Sequence, residues 1–491
     1  MPKKNKKPKI LFVASEAAPY AKSGGLADVA GSLPRELRKL GIDARLILPK
    51  YRTVKEIFLK DARRIGSTDI SLGWRRQSAS ILGVKANPDD EEFTYLIEND
   101  YFFGRDGFYG YDDDFDRFAF FVKAAIESVM LIGFVPDIIH FNDWQTGLGC
   151  VYLKDIYHRF LAYENVKSLF TIHNLQYQGI FGREILNGID INDGYFTADK
   201  LEFFGKVSFM KAGLTYADAI STVSETYAHE IRTPRFGYRL DGMLRSRAGT
   251  LHGILNGIDY NENDPYKDKR IFAHFSANDF AVGDFSGKAK NKIRLQKMLN
   301  LPIRDDVPMM AIISRLVDQK GLDIFAGAIG ELLQRDIQLV VLGTGDYNYE
   351  NMFKDLAWRH PDKISANICF NEDLAYKIYA ASDMFLMPSL FEPCGLGQII
   401  AMRYGSVPIV RKTGGLGDTV SHYDRETQKG NGFVFDHYMT SSLIWGIDEA
   451  LSVYHDKEEW NKVVQNAAAQ DFSWKASAKK YIELYSSIIS N

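Results

Sequence analysis

The chain has 491 residues, with 60 Lys and Arg against 63 Asp and Glu, a formal charge of −3. Hydrophobic residues make up 46% and charged residues 25%, a soluble globular balance that excludes wholesale disorder. The length suits two or three domains, since one core rarely grows past about 250–300 residues. No run approaches the roughly 18 apolar residues of a membrane span; the best candidate, Phe118 to Phe134, is broken by Lys123 and Glu127.

The chain opens on Lys3, Lys4, Lys6, Lys7 and Lys9, with no acid among them, which leaves 55 bases against 63 acids in the rest. That balance is the reverse of a nucleic-acid binder's, and the run reads as a solvated tail. The apolar stretch after it, Ile10 to Ala14, stops at Ser15-Glu16, too short for an export signal. Apolar β-branched runs then predict strands at Lys9–Ala14, Ala44–Leu48, Phe93–Ile97, Ile138–Phe141, Ser168–Ile172 and Ala219–Val223. Four more follow at Met309–Ile313, Gln338–Leu342, Met384–Met387 and Val407–Val410. Between the first two, Leu26, Val29, Leu33, Leu37 and Leu40 step by three or four along one helix face, with Gly41 as a stop and Pro34 as a kink or first-turn restriction. Strand–helix alternation argues for parallel sheets covered by helices. The series occurs twice, separated by the polar interval Asn261 to Lys290. A final helix carries Trp474, Ala478, Tyr481, Tyr485 and Ile488 on one face, with Ser473 as its cap. Three distant cysteines, Cys150, Cys369 and Cys394, exclude a disulfide framework and suit a reducing cytoplasm.

Doubly wound sheets bind ligands beyond the carboxyl ends of their strands, and the unusual residues fall there. Lys22-Ser23-Gly24-Gly25-Leu26 follows the first strand and suits a phosphate through backbone N–H groups, a helix dipole and a lysine; it equally fits a tight turn. Asn142-Asp143-Trp144-Gln145 follows the fourth strand; it reads either as a sugar site or as a helix cap beside a core tryptophan. His173 is delivered into Asn174-Leu175-Gln176-Tyr177, with a neutral hydrogen-bonding role as the modest reading. Arg315 and Lys320 flank a strand–helix turn and could clamp a diphosphate. Gly343-Thr344-Gly345 follows a buried strand as a turn or part of a nucleotide pocket. Ser389-Leu390-Phe391-Glu392-Pro393-Cys394-Gly395-Leu396-Gly397 puts a carboxylate beside backbone N–H groups at a helix start, as a nucleotide-sugar site wants. Thr413-Gly414-Gly415-Leu416 echoes the first Gly-Gly-Leu.

In this order, these motifs, with Gly253-Ile254-Leu255-Asn256-Gly257-Ile258-Asp259 and the late Phe472-Ser473-Trp474, resemble the bacterial glycogen synthase and plant starch synthase family, the family 5 glycosyltransferases. The resemblance spans nearly the whole chain. It implies an α/β GT-B fold: two Rossmann-like doubly wound domains, 1–255 and 256–470, facing a deep cleft, with residues 471–491 as a helix crossing back onto the first. It implies a cytoplasmic enzyme, binding neither nucleic acid nor membrane, that needs no cofactor or metal. That enzyme transfers glucose from ADP-glucose to the non-reducing 4-hydroxyl of an α-1,4-glucan with retention. By the family pattern Lys22, with Gly24, Gly25 and Asp28 beside it, and Arg315 and Lys320 meet the diphosphate. His173 and Glu392 border the glucosyl unit, Asp143 lies near it or the acceptor, and Asn256 lies near the sugar. Cys394, Gly395, Leu396 and Gly397 cradle phosphate, Gly343, Thr344 and Gly345 line the adenosine side, and Tyr95 is a looser adenine contact.

Four departures stand out. The family usually has histidine at Asn142 and often at Gln145, threonine at Gly397, and a Leu-Tyr pair at Ile399-Ile400, a change that could alter the nucleoside pocket. The rival readings are the same transfer from UDP-glucose, an NAD-dependent oxidoreductase, for which a full dinucleotide fingerprint is missing, and a glucan-binding protein without catalysis.

Overall fold

A computed structural model of the chain describes residues 7–86 and 91–490. Lys3, Lys4 and Lys6 of the basic run lie outside the described residues. Contacts divide the chain into two units. The first runs through Val223, adds Ala228–Ile254 and takes the stretch from Trp474; the second comprises Ser224–Tyr227 and Leu255–Ser473.

The strands of the first unit are β1 (Lys9–Val13), β2 (Asp43–Pro49), β3 (Arg63–Leu72), β4 (Arg75–Val84), β5 (Thr94–Glu98), β6 (Ile138–Asn142), β7 (Lys167–Ile172), β8 (Ile180–Phe181), β9 (Glu202–Phe203), β10 (Lys206–Ser208), β11 (Ala219–Thr222) and β12 (Leu251–Gly253). Nine form one sheet in the order β12-β11-β7-β6-β1-β2-β5-β4-β3; β8, β10 and β9 form a small separate one. All pairings from β12 to β5 are parallel. The centre is apolar because both its faces are covered: Ile10 to Val13 have no solvent exposure. The order reverses between β1 and β6, so the loops after these strands and after β7 emerge side by side.

The sequence reading missed the antiparallel β3–β4 hairpin. Its strands are rich in Arg, Ser and Thr with only alternate residues buried, such as Ile70, Leu72, Ala79 and Ile81, so no apolar run announces them. The Gly25–Lys39 helix buries Leu26, Val29, Leu33 and Leu37, and it continues through Pro34, which is itself buried. The Trp474–Ser490 helix packs on that helix with Trp474, Ala478, Tyr481 and Tyr485 buried. The Tyr485 hydroxyl lies 2.9 Å from His140 Nδ1 in the sheet beneath.

The second unit is a six-stranded parallel sheet of β13 (Met309–Ile313), β14 (Gln338–Leu342), β15 (Ile364–Asn367), β16 (Met384–Met387), β17 (Val407–Arg411) and β18 (Phe433–Phe435). The order is β15-β14-β13-β16-β17-β18. It reverses between β13 and β16, and the Arg315–Lys320 and Ser389–Gly397 segments leave from those two strands. The short outer strands β15 and β18 were not anticipated, because runs of three or four residues carry little periodic signal.

Candidate functional site

In the first unit the loop after β1 is organised by a carboxylate. Glu16 is 4% exposed, and its Oε2 accepts from both the backbone N–H and the hydroxyl of Ser23, the latter at 2.8 Å. Gly24 also donates its N–H to it. Burial raises the Glu16 pKa against these bonds, and Asp28 adds to the rise. Gly24 and Gly25 are exposed at the helix start, and Lys22 Nζ lies 2.7 Å from Asp28 on the first helical turn.

Asp143, at φ 58°, does not cap the short helix after it. Its Oδ1 instead accepts the backbone N–H of His173 at 2.7 Å, and Asn174 donates to it as well. Two loops from neighbouring parallel strands are thereby tied together. Burial pushes the Asp143 pKa up to about 7, with Glu16 adding to the rise. Burial also lowers the His173 pKa to about 3, so the imidazole is neutral near pH 7. The Trp144 indole is half-buried. It packs against Phe118, Phe181 and Phe209, and a Cβ at Gly179 would sit 2.2 Å from its ring.

Tyr95 does not join these loops. It is 3% exposed within β5, and its hydroxyl accepts from Arg45 at 3.0 Å. Tyr109 reaches the loops instead: its hydroxyl lies 2.8 Å from Ser15 Oγ, and it feels the charges of Glu16 and Asp143. Neither Glu16 nor Tyr109 carries a local motif. Tyr109 arrives through a contact 94 positions away in the chain, invisible to any pattern of neighbours.

In the second unit the two loops at the strand reversal meet. Lys320 Nζ lies 2.6 Å from Glu392 Oε2, with side-chain exposures of 17% and 9%. Ser389 Oγ donates to the same carboxylate oxygen at 3.2 Å. The loops are also laced by backbone: Leu390 N–H donates to Gln319 O at 2.9 Å, and Gln319 Nε2 to Phe391 O at 3.3 Å. Gln319 holds Arg315, which is exposed, through Nη2 at 3.3 Å. Removing one member of so buried a pair strands the other, at a cost of about 3–5 kcal/mol.

Glycines permit this packing. At Gly321, φ 73°, a Cβ would lie 2.0 Å from Pro388 O; at Gly414, φ 45°, it would lie 2.0 Å from Glu392 O. Gly415 N–H donates to Glu392 O at 3.1 Å, so the second Gly-Gly-Leu loop seats the Glu392 loop within the same unit. Gly343, Thr344 and Gly345 follow β14, where Leu316 N–H donates to Thr344 O at 2.9 Å. Cys394 is buried; Gly395, Leu396 and Gly397 are half-buried. Asn256 donates to the Cys394 sulfur. Among the described residues its buried Oδ1, like Ser314 Oγ, has no hydrogen-bond partner. At Gly397 a Cβ would press on Phe385 at 3.0 Å, so the neighbours have closed over the glycine. Ile399 is 1% exposed, and Ile400 is half-buried and packs against the core of the unit. The loop after β15 adds a residue the sequence reading overlooked, Phe370, 90% exposed at the same sheet edge as Gly343.

Among the described residues, no group of three or more His, Cys, Asp or Glu could hold a metal ion, and no helix is long and apolar enough to cross a membrane. The three cysteines are free.

Residues 9–246 match the starch synthase catalytic domain family, and residues 295–470 match the glycosyl transferases group 1 family. A glycogen synthase from Clostridium acetobutylicum is 50% identical over 484 residues, covering 98% of this chain and all of that one. The chain belongs to the glycogen synthase family. A relative from Clostridioides difficile, also a glycogen synthase, is 48% identical over 485 residues, 98% of this chain and 99% of that one. The catalytic domain of starch synthase IV from Arabidopsis thaliana, solved with ADP and acarbose, aligns at a TM-score of 0.91 with 34% identity, covering 99% of this chain and all of that one. The fold is thus GT-B, and membership of this family makes the chain a glycosyltransferase.

Proposed function

We propose that the chain transfers glucose from ADP-glucose to the non-reducing 4-hydroxyl of an α-1,4-glucan, with retention and without a metal, in the cytoplasm. The observation that carries this reading is the buried Lys320–Glu392 pair, with Arg315 tethered beside it, at the strand reversal of the second unit. Arg315 and Lys320 neutralise the diphosphate and stabilise the charge that develops on the departing ADP. The backbone from Cys394 to Gly397 holds phosphate. In the second unit Glu392 and Asn256 contact sugar hydroxyls, the unsatisfied Asn256 Oδ1 suiting a hydroxyl donor; in the first unit His173 and Asp143 are the residues that offer such contacts. Gly343–Gly345 and the exposed Phe370 ring border the adenosine.

Retention follows from attack on the face the phosphate leaves. The acceptor 4-oxygen bonds to the anomeric carbon, the carbon–phosphate oxygen bond breaks, and the hydroxyl proton passes to the departing phosphate. Glu392 supports this path over a covalent intermediate, because its Oε2 is already held by Lys320 and Ser389. The test is the linkage of product made on a maltoheptaose acceptor. Proton NMR of the new linkage should show only α-1,4 signals; a β-linked product would overturn the reading.

A further inference from the structure

Asn142 closes β6 with no solvent exposure. Its Nδ2 donates to Val13 O on the neighbouring strand and to His140 O on its own, each at 3.1 Å. Turning the amide over would set its oxygen against both carbonyls, so the orientation is determined by the backbone around it. The oxygen that results faces His173 Nε2 at 3.0 Å. An amide oxygen only accepts, so Nε2 carries the proton. Burial keeps the ring neutral, which leaves one ring proton and an unprotonated Nδ1. The backbone of His173 is anchored separately, by Asp143 at 2.7 Å. One neighbour thus sets where the residue sits, and the other sets which nitrogen can accept.

We propose that Asn142 is a positioning residue that locks His173 in its Nε2–H tautomer, so that Nδ1 is presented as a hydrogen-bond acceptor to a hydroxyl of the transferred glucosyl unit. The second half rests on the proposed function, in which His173 borders that unit; the tautomer lock does not. Without the lock, a neutral imidazole samples both tautomers, and the wrong one aims a donor at the site.

The test has two arms on the full chain. In the first, histidine labelled with 15N reports the tautomer of His173 through two-bond proton–nitrogen correlations, assigned by the signal lost in His173→Gln. The Nε2–H pattern should hold from pH 5 to 9; an Nδ1–H or averaged pattern overturns the lock. In the second, Asn142→Leu removes the acceptor. Its His173 signals should average, and kcat with ADP-glucose and glycogen should fall about tenfold with KM for glycogen unchanged. A shifted tautomer with unchanged kcat overturns the role in transfer. Should the variant not fold, the wild-type spectrum still decides the lock. If the wild-type chain transfers no glucose, it is the proposed function that fails, and the first arm stands on its own.

Discussion

Replacing Glu392 by Gln keeps the side chain's shape and removes the charge that Lys320 faces at 2.6 Å. Turnover should fall about 100-fold or more, while circular dichroism stays near wild type and unfolding remains cooperative at a midpoint lowered by the stranded Lys320; wild-type turnover would remove Glu392 from the site. Asp143 makes a pH-dependent prediction. Its pKa in the fold is about 7 against an ordinary 3.8, so the folded chain keeps a proton that the unfolded chain releases between those values. Its contribution to stability therefore declines as pH rises from about 4 to 7. His173 has the opposite sign: at about 3 against 6.5, its contribution is present above pH 6.5 and lost as pH falls toward 3. Urea unfolding of Asp143→Asn and His173→Gln against wild type should show these two slopes with opposite sign; a flat difference for either contradicts the burial that causes it. At this scale the sequence was most legible where a side chain directly follows an apolar strand, as at Asp143 and His173. Tyr95 was misplaced because a tyrosine inside a strand gives no sign of where its hydroxyl points. Glu16 was passed over because its loop partners become visible only once the chain has turned back on itself.

At the scale of elements, the Glu392 loop is seated by the glycine loop after β17. Gly414→Ala would place a Cβ 2.0 Å from Glu392 O at φ 45°. It should destabilise the second unit by more than about 1 kcal/mol and lower kcat, read by thermal unfolding beside the transfer assay. Unchanged activity would mean that the loop does not seat Glu392. The C-terminal helix makes a matching prediction for the first unit: Tyr485→Phe loses the bond to His140, which should cost about 1 kcal/mol. Elements with a continuous apolar run, such as β1, β13 and β14, were readable because a strand buried on both faces must be apolar throughout. The β3–β4 hairpin was not, because its burial alternates and polar residues fill the exposed positions.

For the whole molecule, the proposed function gives Arg315 and Lys320 the part that a divalent cation plays at other diphosphate sites. Prolonged dialysis against EDTA should leave the transfer rate unchanged; loss of activity that Mg²⁺ restores would contradict that assignment. The repeated strand–helix series was enough to read two doubly wound domains, and the ordered motifs were enough to read the family. Choice of nucleotide was less legible. Of the pair Ile399-Ile400, read from sequence as a change that could alter the nucleoside pocket, Ile399 is buried and Ile400 half-buried, and the exposed Phe370 at the strand edge carries no motif. The most direct test of the central claim is incorporation of radiolabelled glucose into glycogen from ADP-glucose, with UDP-glucose in parallel. Strong incorporation from ADP-glucose, little reduced by excess unlabelled UDP-glucose, is the predicted result. Preference for UDP-glucose would contradict the donor assignment, and incorporation from neither would contradict the activity itself.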